Sequence, residues 1–215
     1  MIKKEKQEKK PKSAPGVMLG MCDIARSGEM TRWHSIKTSR PQTIAEHHYL
    51  VAMIVNWLAK EIFGAGLPDG FRLRLLELAL WHDTPELVTC TDIASPYKRR
   101  ISQICRENGI ENPIDIIEDE IAPFLKKLKE ELAPHPASRL LKIADLLDAY
   151  LFISSNGVGR HAQSVASDVL QSFKAKVAEA RAAHPEFDWG ACDDLLAVMH
   201  DPEGNKILFE GKGRG

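Results

Sequence analysis

The sequence predicts an all-α single domain, and three observations predict it. Apolar residues recur at spacings of three and four along most of the chain, with almost no alternation of period two. Helix start and stop signals bracket the periodic segments. The chain has 215 residues, 44% apolar and 27% charged, enough to bury about 70% of its unfolded surface, so the core needs no disulfide or structural metal.

Residues 1–16 open with MIKKEKQEKKPK, six Lys and two Glu without an aromatic residue, and run into breaker-rich sequence; a basic disordered tail is expected. A helical domain over 17–200 then begins with a short amphipathic helix at 17–27. Thr43 followed three residues later by Glu46 is a capping box, so a long helix starts at Ile44 and stops at Gly64. A third helix over 71–83 is apolar on most faces, which predicts a buried position. Residues 84–100 carry polar residues and Pro96 and read as a loop with at most one helical turn at its start. Helices are expected at 114–132, 137–153, 160–183, where His184-Pro185 ends the run, and 188–200. Residues 201–215 read as a loose tail with one short extended segment. No internal repeat divides the chain.

Composition excludes several functions. The formal net charge of −1 conceals a tail of +4 and a body of −5, so an extended nucleic-acid surface on the folded part is not expected. Cys22, Cys90, Cys105 and Cys192 show no Cys-x-x-Cys spacing and follow no signal-peptide pattern, which fits a reduced, cytoplasmic setting. The longest apolar run, LVAMIV at 50–55, is far too short to span a bilayer, so no membrane role is expected.

The chemistry lies in ionisable residues that interrupt apolar helices. His82-Asp83 ends the third helix, Glu46-His47 opens the second, and Asp145 sits inside LLKIADLLDAYLFI. Taken singly, each has a plain alternative: a core histidine bonded to a carbonyl, or an aspartate capping the next turn of chain. Together, His47, His82, Asp83 and Asp145 are two imidazoles and two carboxylates on three helices. That donor set suits Mn, Fe, Co or Zn better than Ca.

These residues, in this order, resemble the H…HD…D signature of the HD-domain metal-dependent phosphohydrolases, a helical superfamily. The flanks Arg32-Trp33, Ala45-Glu46-His47, His82-Asp83-x-x-Glu86, Asp92-Ile93-x-x-Pro96-x-Lys98 and Lys142-x-Ala144-Asp145-Leu146-Leu147-x-Ala149-Tyr150 are similar to its bacterial 5′-deoxynucleotidase branch. They are similar too to the phage-type dATP triphosphohydrolases built on the same fold. The likeness spans about residues 30–152, which leaves 153–200 as packing helices. The order Cys90-Thr91-Asp92 departs from the nucleotidase pattern, which usually has a Gly just before the Asp and a loop one residue shorter; the triplet Lys98-Arg99-Arg100 departs too, since only the first Lys is needed.

The resemblance implies an HD-domain helical bundle using a divalent transition metal (Co, Mn or Zn) held by His47, His82, Asp83 and Asp145. It implies that Glu86 orients or deprotonates the attacking water. Arg32 would take two phosphate oxygens, Trp33 a sugar or base, Lys98 the phosphate charge, and Asp92 a sugar hydroxyl or the water. His48 and His34 adjoin motif residues but stand outside the pattern and are read as structural. The implied reaction is hydrolysis of a small-molecule 2′-deoxynucleotide next to its 5′ oxygen, by a homodimer or higher homo-oligomer. Between the branches the monophosphate is favoured, because the nucleotidases are the larger group. A triphosphate needs further cations for its β and γ groups, and Arg99 and Arg100 are the candidates. The remaining alternative is a non-catalytic helical binding protein.

Overall fold

The computed structural model describes residues 18–89 and 95–200; both tails and Asp92 lie outside the described residues. Among those residues the secondary structure is helical, apart from two isolated bridges. The helices are α1 (Met21–Ala25), α2 (Ile44–Phe63), α3 (Asp69–Trp81), α4 (Pro85–Thr89), α5 (Ser95–Asn108), α6 (Pro113–Ile121), α7 (Pro123–Leu132), α8 (Arg139–Asn156), α9 (Arg160–Ala183) and α10 (Gly190–His200). None is long and apolar enough to cross a membrane.

Helix α8 is central, packed on α2 on one side and α9 on the other. Its buried residues Leu140, Ile143, Ala144 and Leu147 repeat at helical spacing, and Asp148, Ala149 and Phe152 extend burial round a second face. Helix α9 buries one stripe, Phe173, Val177 and Ala180. The tight α8–α9 connection requires Gly157, where a Cβ would meet the Ile153 carbonyl oxygen at 2.6 Å and the Ala162 Cβ at 2.7 Å.

The expected capping box is present. Thr43 Oγ1 accepts from the Glu46 backbone N–H at 3.1 Å, and Glu46 Oε2 accepts from the Thr43 N–H at 2.9 Å. Gly64 ends the helix at φ 52°, a left-handed value that favours glycine. Because this cap sets the start of the helix that carries His47, Thr43→Ala should lower unfolding free energy by about 1 kcal/mol in urea denaturation.

Four expectations need correction. Helix α3 is not buried on most faces: it packs on α2 and α7, and Leu73 and Leu80 are exposed. It also ends at Trp81, so His82 and Asp83 lie in the following turn. Residues 84–100 begin with the single short turn of helix expected there, α4, but the loop expected after it gives way to α5, which begins at Ser95 because Pro96 falls in the first turn, where its missing N–H costs no helical bond. The single helix expected over 114–132 is two, since Pro123 forces Ala122 out of helical geometry, to φ −137° and ψ 68°.

Candidate metal centre and active site

Three elements deliver four side chains that could hold a metal ion to one point. His47 is the fourth residue of α2 and fully buried. His82 and Asp83 occupy the α3–α4 turn, which closes through Thr84, whose N–H and Oγ1 both donate to the Trp81 carbonyl. Asp145 projects from the middle of α8. One ligand atom from each of the four lies within 4.8 Å of the others.

The donor chemistry fits a cation. His82 Nδ1–H donates to the Ala79 carbonyl at 2.8 Å, and His47 Nδ1–H to Asp148 Oδ2 at 2.6 Å. Both Nε2 lone pairs are thereby turned inward, 3.2 Å apart, with nothing to join them unless a proton or a metal lies between. His47 Nε2 stands 3.3 Å from Asp83 Oδ2 and 3.7 Å from Asp145 Oδ1, and His82 Nε2 stands 3.5 Å from Asp83 Oδ2. Such spacings suit ligands held at about 2.0–2.2 Å from one ion.

The electrostatics agree. Burial opposes the Asp83 charge, yet His82, His47 and Arg32 hold its carboxyl well below the usual range. Burial and the Arg32 charge oppose a proton on His47, but Asp148 and Asp83 outweigh them and raise it to about 9. The cluster therefore draws in positive charge.

The segment 31–43 brings Arg32 and Trp33 to this centre. Thr31 bridges Thr43, and the Arg32 N–H donates to the Gln42 carbonyl at 2.9 Å. Arg32 Nη1 then lies 3.4 Å from Asp148 Oδ2 and Nη2 lies 3.9 Å from Asp145 Oδ1. Its Nε is buried with no hydrogen-bond partner among the described residues, so the fork keeps donor capacity. Trp33 adopts φ 70°, a left-handed backbone unusual for a bulky residue. It is held there by stacking on Phe152 and by an Nε1–H bond to Gln42 Oε1 at 2.7 Å. That bond engages the indole donor, and the Arg32 guanidinium lies over the ring at 5.7 Å from its centre.

Sequence reasoning missed Gln42 and Asp148, both buried. The signal for Asp148 was available: it too is a carboxylate inside the apolar run of α8, one turn after Asp145. Gln42, before the cap of α2, gave none. His34 is exposed. His48 is buried beside the cluster, its ring centroid 5.2 Å from that of His82, and burial with the His82 charge pushes it down to about 3.

A cavity of about 310 Å³ is lined in part by His82, Asp83 and Asp145. Lys98, Lys129 and Lys142 line it from α5, α7 and α8, together with Asp115 and Glu118. Glu86 is buried in the first turn of α4, and Lys98 Nζ donates to its Oε1 at 3.0 Å. Lys142 Nζ donates to Asp145 Oδ2 at 2.6 Å. The sequence candidates for extra cations are misplaced: Arg99 and Arg100 are exposed, Arg100 faces Glu107 at 4.0 Å, and neither lines the cavity. Helical phase turns them away while bringing Lys98 inward. The other lysines that line the cavity are Lys129 and Lys142, brought in by α7 and α8.

A family model described as 5′-deoxynucleotidase YfbR-like matches residues 21–156. The chain belongs to this HD phosphohydrolase family. Among YfbR-like relatives, a dATP triphosphohydrolase of Acinetobacter phage SH-Ab 15497 is 31% identical over 194 residues, 86% of this chain and 92% of the relative. The 5′-deoxynucleotidase YfbR of Escherichia coli O127:H6 is 31% identical over 138 residues, 60% of this chain and 67% of that one. A solved structure of the cyanophage S-2L HD phosphohydrolase DatZ, bound to dA and one catalytic Zn2+ ion, superposes with a TM-score of 0.67 at 25% identity, covering 91% of this chain and 99% of DatZ. This YfbR-like chain is thus a divalent-metal-dependent deoxynucleotide phosphohydrolase, which removes the alternative of a non-catalytic binding protein. The expected motif region 30–152 falls within the matched segment.

Proposed function

We propose that the protein hydrolyses a deoxynucleoside triphosphate, dATP in the first instance, to the deoxynucleoside and tripolyphosphate. The observation that carries this reading is the trio Lys98, Lys129 and Lys142, which line one cavity together with His82, Asp83 and Asp145. One phosphate group is too few for three lysines that reach a cavity from three helices; the β and γ groups of a triphosphate supply further anionic oxygens. The dATP activity named for the phage relative that matches most of the chain supports the same choice, in place of the monophosphate that the sequence favoured.

In this reading His47, His82, Asp83 and Asp145 hold the metal, which when bound neutralises phosphoryl oxygens and makes water a better nucleophile at neutral pH. Arg32 takes two oxygens of the α-phosphoryl group with its planar fork. Glu86 accepts a proton from the attacking water as its oxygen bonds to the α-phosphorus. The bond from phosphorus to the 5′ oxygen breaks, and that oxygen takes up a proton. Lys98 holds the Glu86 carboxylate in place from one side while facing the phosphates from the other. The Trp33 ring offers a flat apolar surface to the base or sugar, and Asp92 accepts a hydrogen bond from a sugar hydroxyl.

The test is a panel of deoxynucleoside mono- and triphosphates supplied with Mn2+, Co2+ or Zn2+, with phosphate products resolved. Tripolyphosphate from dATP supports the proposal; orthophosphate from dAMP with dATP untouched overturns it. Lys129→Ala should raise KM for dATP about tenfold or more, the worth of one charged hydrogen bond, while leaving residual turnover of dAMP unchanged.

A further inference from the structure

One buried carboxylate, Asp148, touches both halves of the site without reaching the metal-binding point. It is 1% exposed, and the oxygens of a carboxyl group in that position need hydrogen-bond donors from the protein, since water does not reach them. It has three. His47 Nδ1–H donates to Oδ2 at 2.6 Å, the Gln42 side-chain amide donates to both oxygens at 3.0 and 3.2 Å, and Arg32 Nη1 stands 3.4 Å away.

The direction of each bond is fixed by chemistry. A carboxylate oxygen accepts, so Nδ1 of His47 carries a hydrogen and Nε2 is the nitrogen left to face the metal-binding point. The indole N–H of Trp33 only donates, so Gln42 Oε1 must be the atom that receives it, and the amide nitrogen must face Asp148. The resulting chain runs Trp33 to Gln42 to Asp148, where it meets the bond from His47. Trp33 keeps its left-handed backbone at φ 70° with this chain anchoring its ring.

We infer that Asp148 is a positioning residue that aligns a metal ligand and the nucleoside contact together. It sets the tautomer and orientation of His47 directly, and it seats Trp33 through Gln42. Outer-shell carboxylates on metal-bound histidines tune affinity by about 10–100-fold, and here the same carboxylate also restrains Arg32. The inference rests on the metal-centre reading above, and the experiment separates the two.

Zn2+ affinity is measured by competition with a chromophoric chelator, alongside metal-free thermal denaturation and steady-state kinetics, for wild type, Asp148→Asn, Asp148→Ala and Gln42→Leu. Wild type that binds no Zn2+ overturns the metal-centre reading itself. Asp148→Ala should bind Zn2+ about 10–100-fold more weakly. Asp148→Asn, nearly the same shape and still able to accept from His47 Nδ1–H, should recover part of that affinity whatever its melting temperature. Gln42→Leu should hold Zn2+ within about threefold of wild type, since His47 stays anchored, but raise KM for the deoxynucleotide several-fold as Trp33 loses its tether. Wild-type Zn2+ affinity in folded Asp148→Asn and Asp148→Ala overturns the inference, as does an unchanged KM in Gln42→Leu.

Discussion

Asp145→Ala should lower kcat by about a thousandfold or more, because loss of the bound cation removes several kcal/mol of charge stabilisation from the transition state. Asp145 is the residue that α8 contributes to the four-residue cluster, and it already meets positive charge from two sides, with Lys142 at 2.6 Å and Arg32 at 3.9 Å. Burial opposes its charge and so does Asp83, while Lys142, His82 and His47 hold its carboxyl below the ordinary range. Its deletion leaves Arg32 and Lys142 facing the point where a dication has to sit, and the two imidazoles and Asp83 do not offset them. Stability of the metal-free protein should change little, since removing Asp145 also relieves its repulsion with Asp83. The diagnostic is therefore a paired measurement. Metal content and the thermal upshift given by Mn2+, Co2+ or Zn2+ should vanish, while the metal-free melting temperature stays near that of wild type. Near-normal turnover would show that Asp145 is not a ligand.

Glu86→Gln should behave differently: kcat falls by about 10²–10⁴-fold, the range for loss of a positioned general base, while the metal is retained. Glu86 is absent from the four-ligand cluster. It is buried at the start of α4, with Lys98 donating to Oε1. Glutamine fills the same space, and its carbonyl oxygen still accepts from Lys98, so the local structure has no reason to change. What is lost is the capacity to take a proton from water. Unchanged Zn2+ affinity and KM with a collapsed kcat is the expected pattern. A variant that keeps more than a tenth of wild-type kcat would remove Glu86 from proton transfer.

The legible part of the site is the part encoded by composition against periodicity. His47, His82, Asp83 and Asp145 stand out because each interrupts a helix otherwise built for burial, and the structure gathers all four. The capping box at Thr43 and the stop at Gly64 are local rules carried by a few adjacent residues, and both hold. The missed break at Ala122-Pro123 belongs to the same local class. There an apolar period running across the proline obscured a signal that the proline itself supplied. Helix α5 was obscured in the opposite way: Pro96 and the basic run beside it suggest a loop until the proline is placed in a first turn, where it is harmless.

Other features had no local signature. Asp148 and Gln42 are separated by 106 residues, and only the packing of α8 against the segment before α2 makes them partners. The cations that line the cavity obey the same logic. Arg99 and Arg100 sit beside Lys98 in sequence but fall on the outer face of α5. Lys129 and Lys142, distant in sequence, line the cavity because α7 and α8 converge beside the metal-binding cluster.

By itself, then, the sequence determined a helical domain, its principal helix boundaries and the four residues that the structure gathers into one cluster able to hold a metal ion. Those come from periodicity, from caps, and from the cost of burying an unpaired charge, each of which acts within one helix. The tertiary structure alone decided which lysines share a cavity with that cluster, and which carboxylate orients His47. Such choices depend on the phase and convergence of separate helices, and on hydrogen bonds whose partners come from distant parts of the chain.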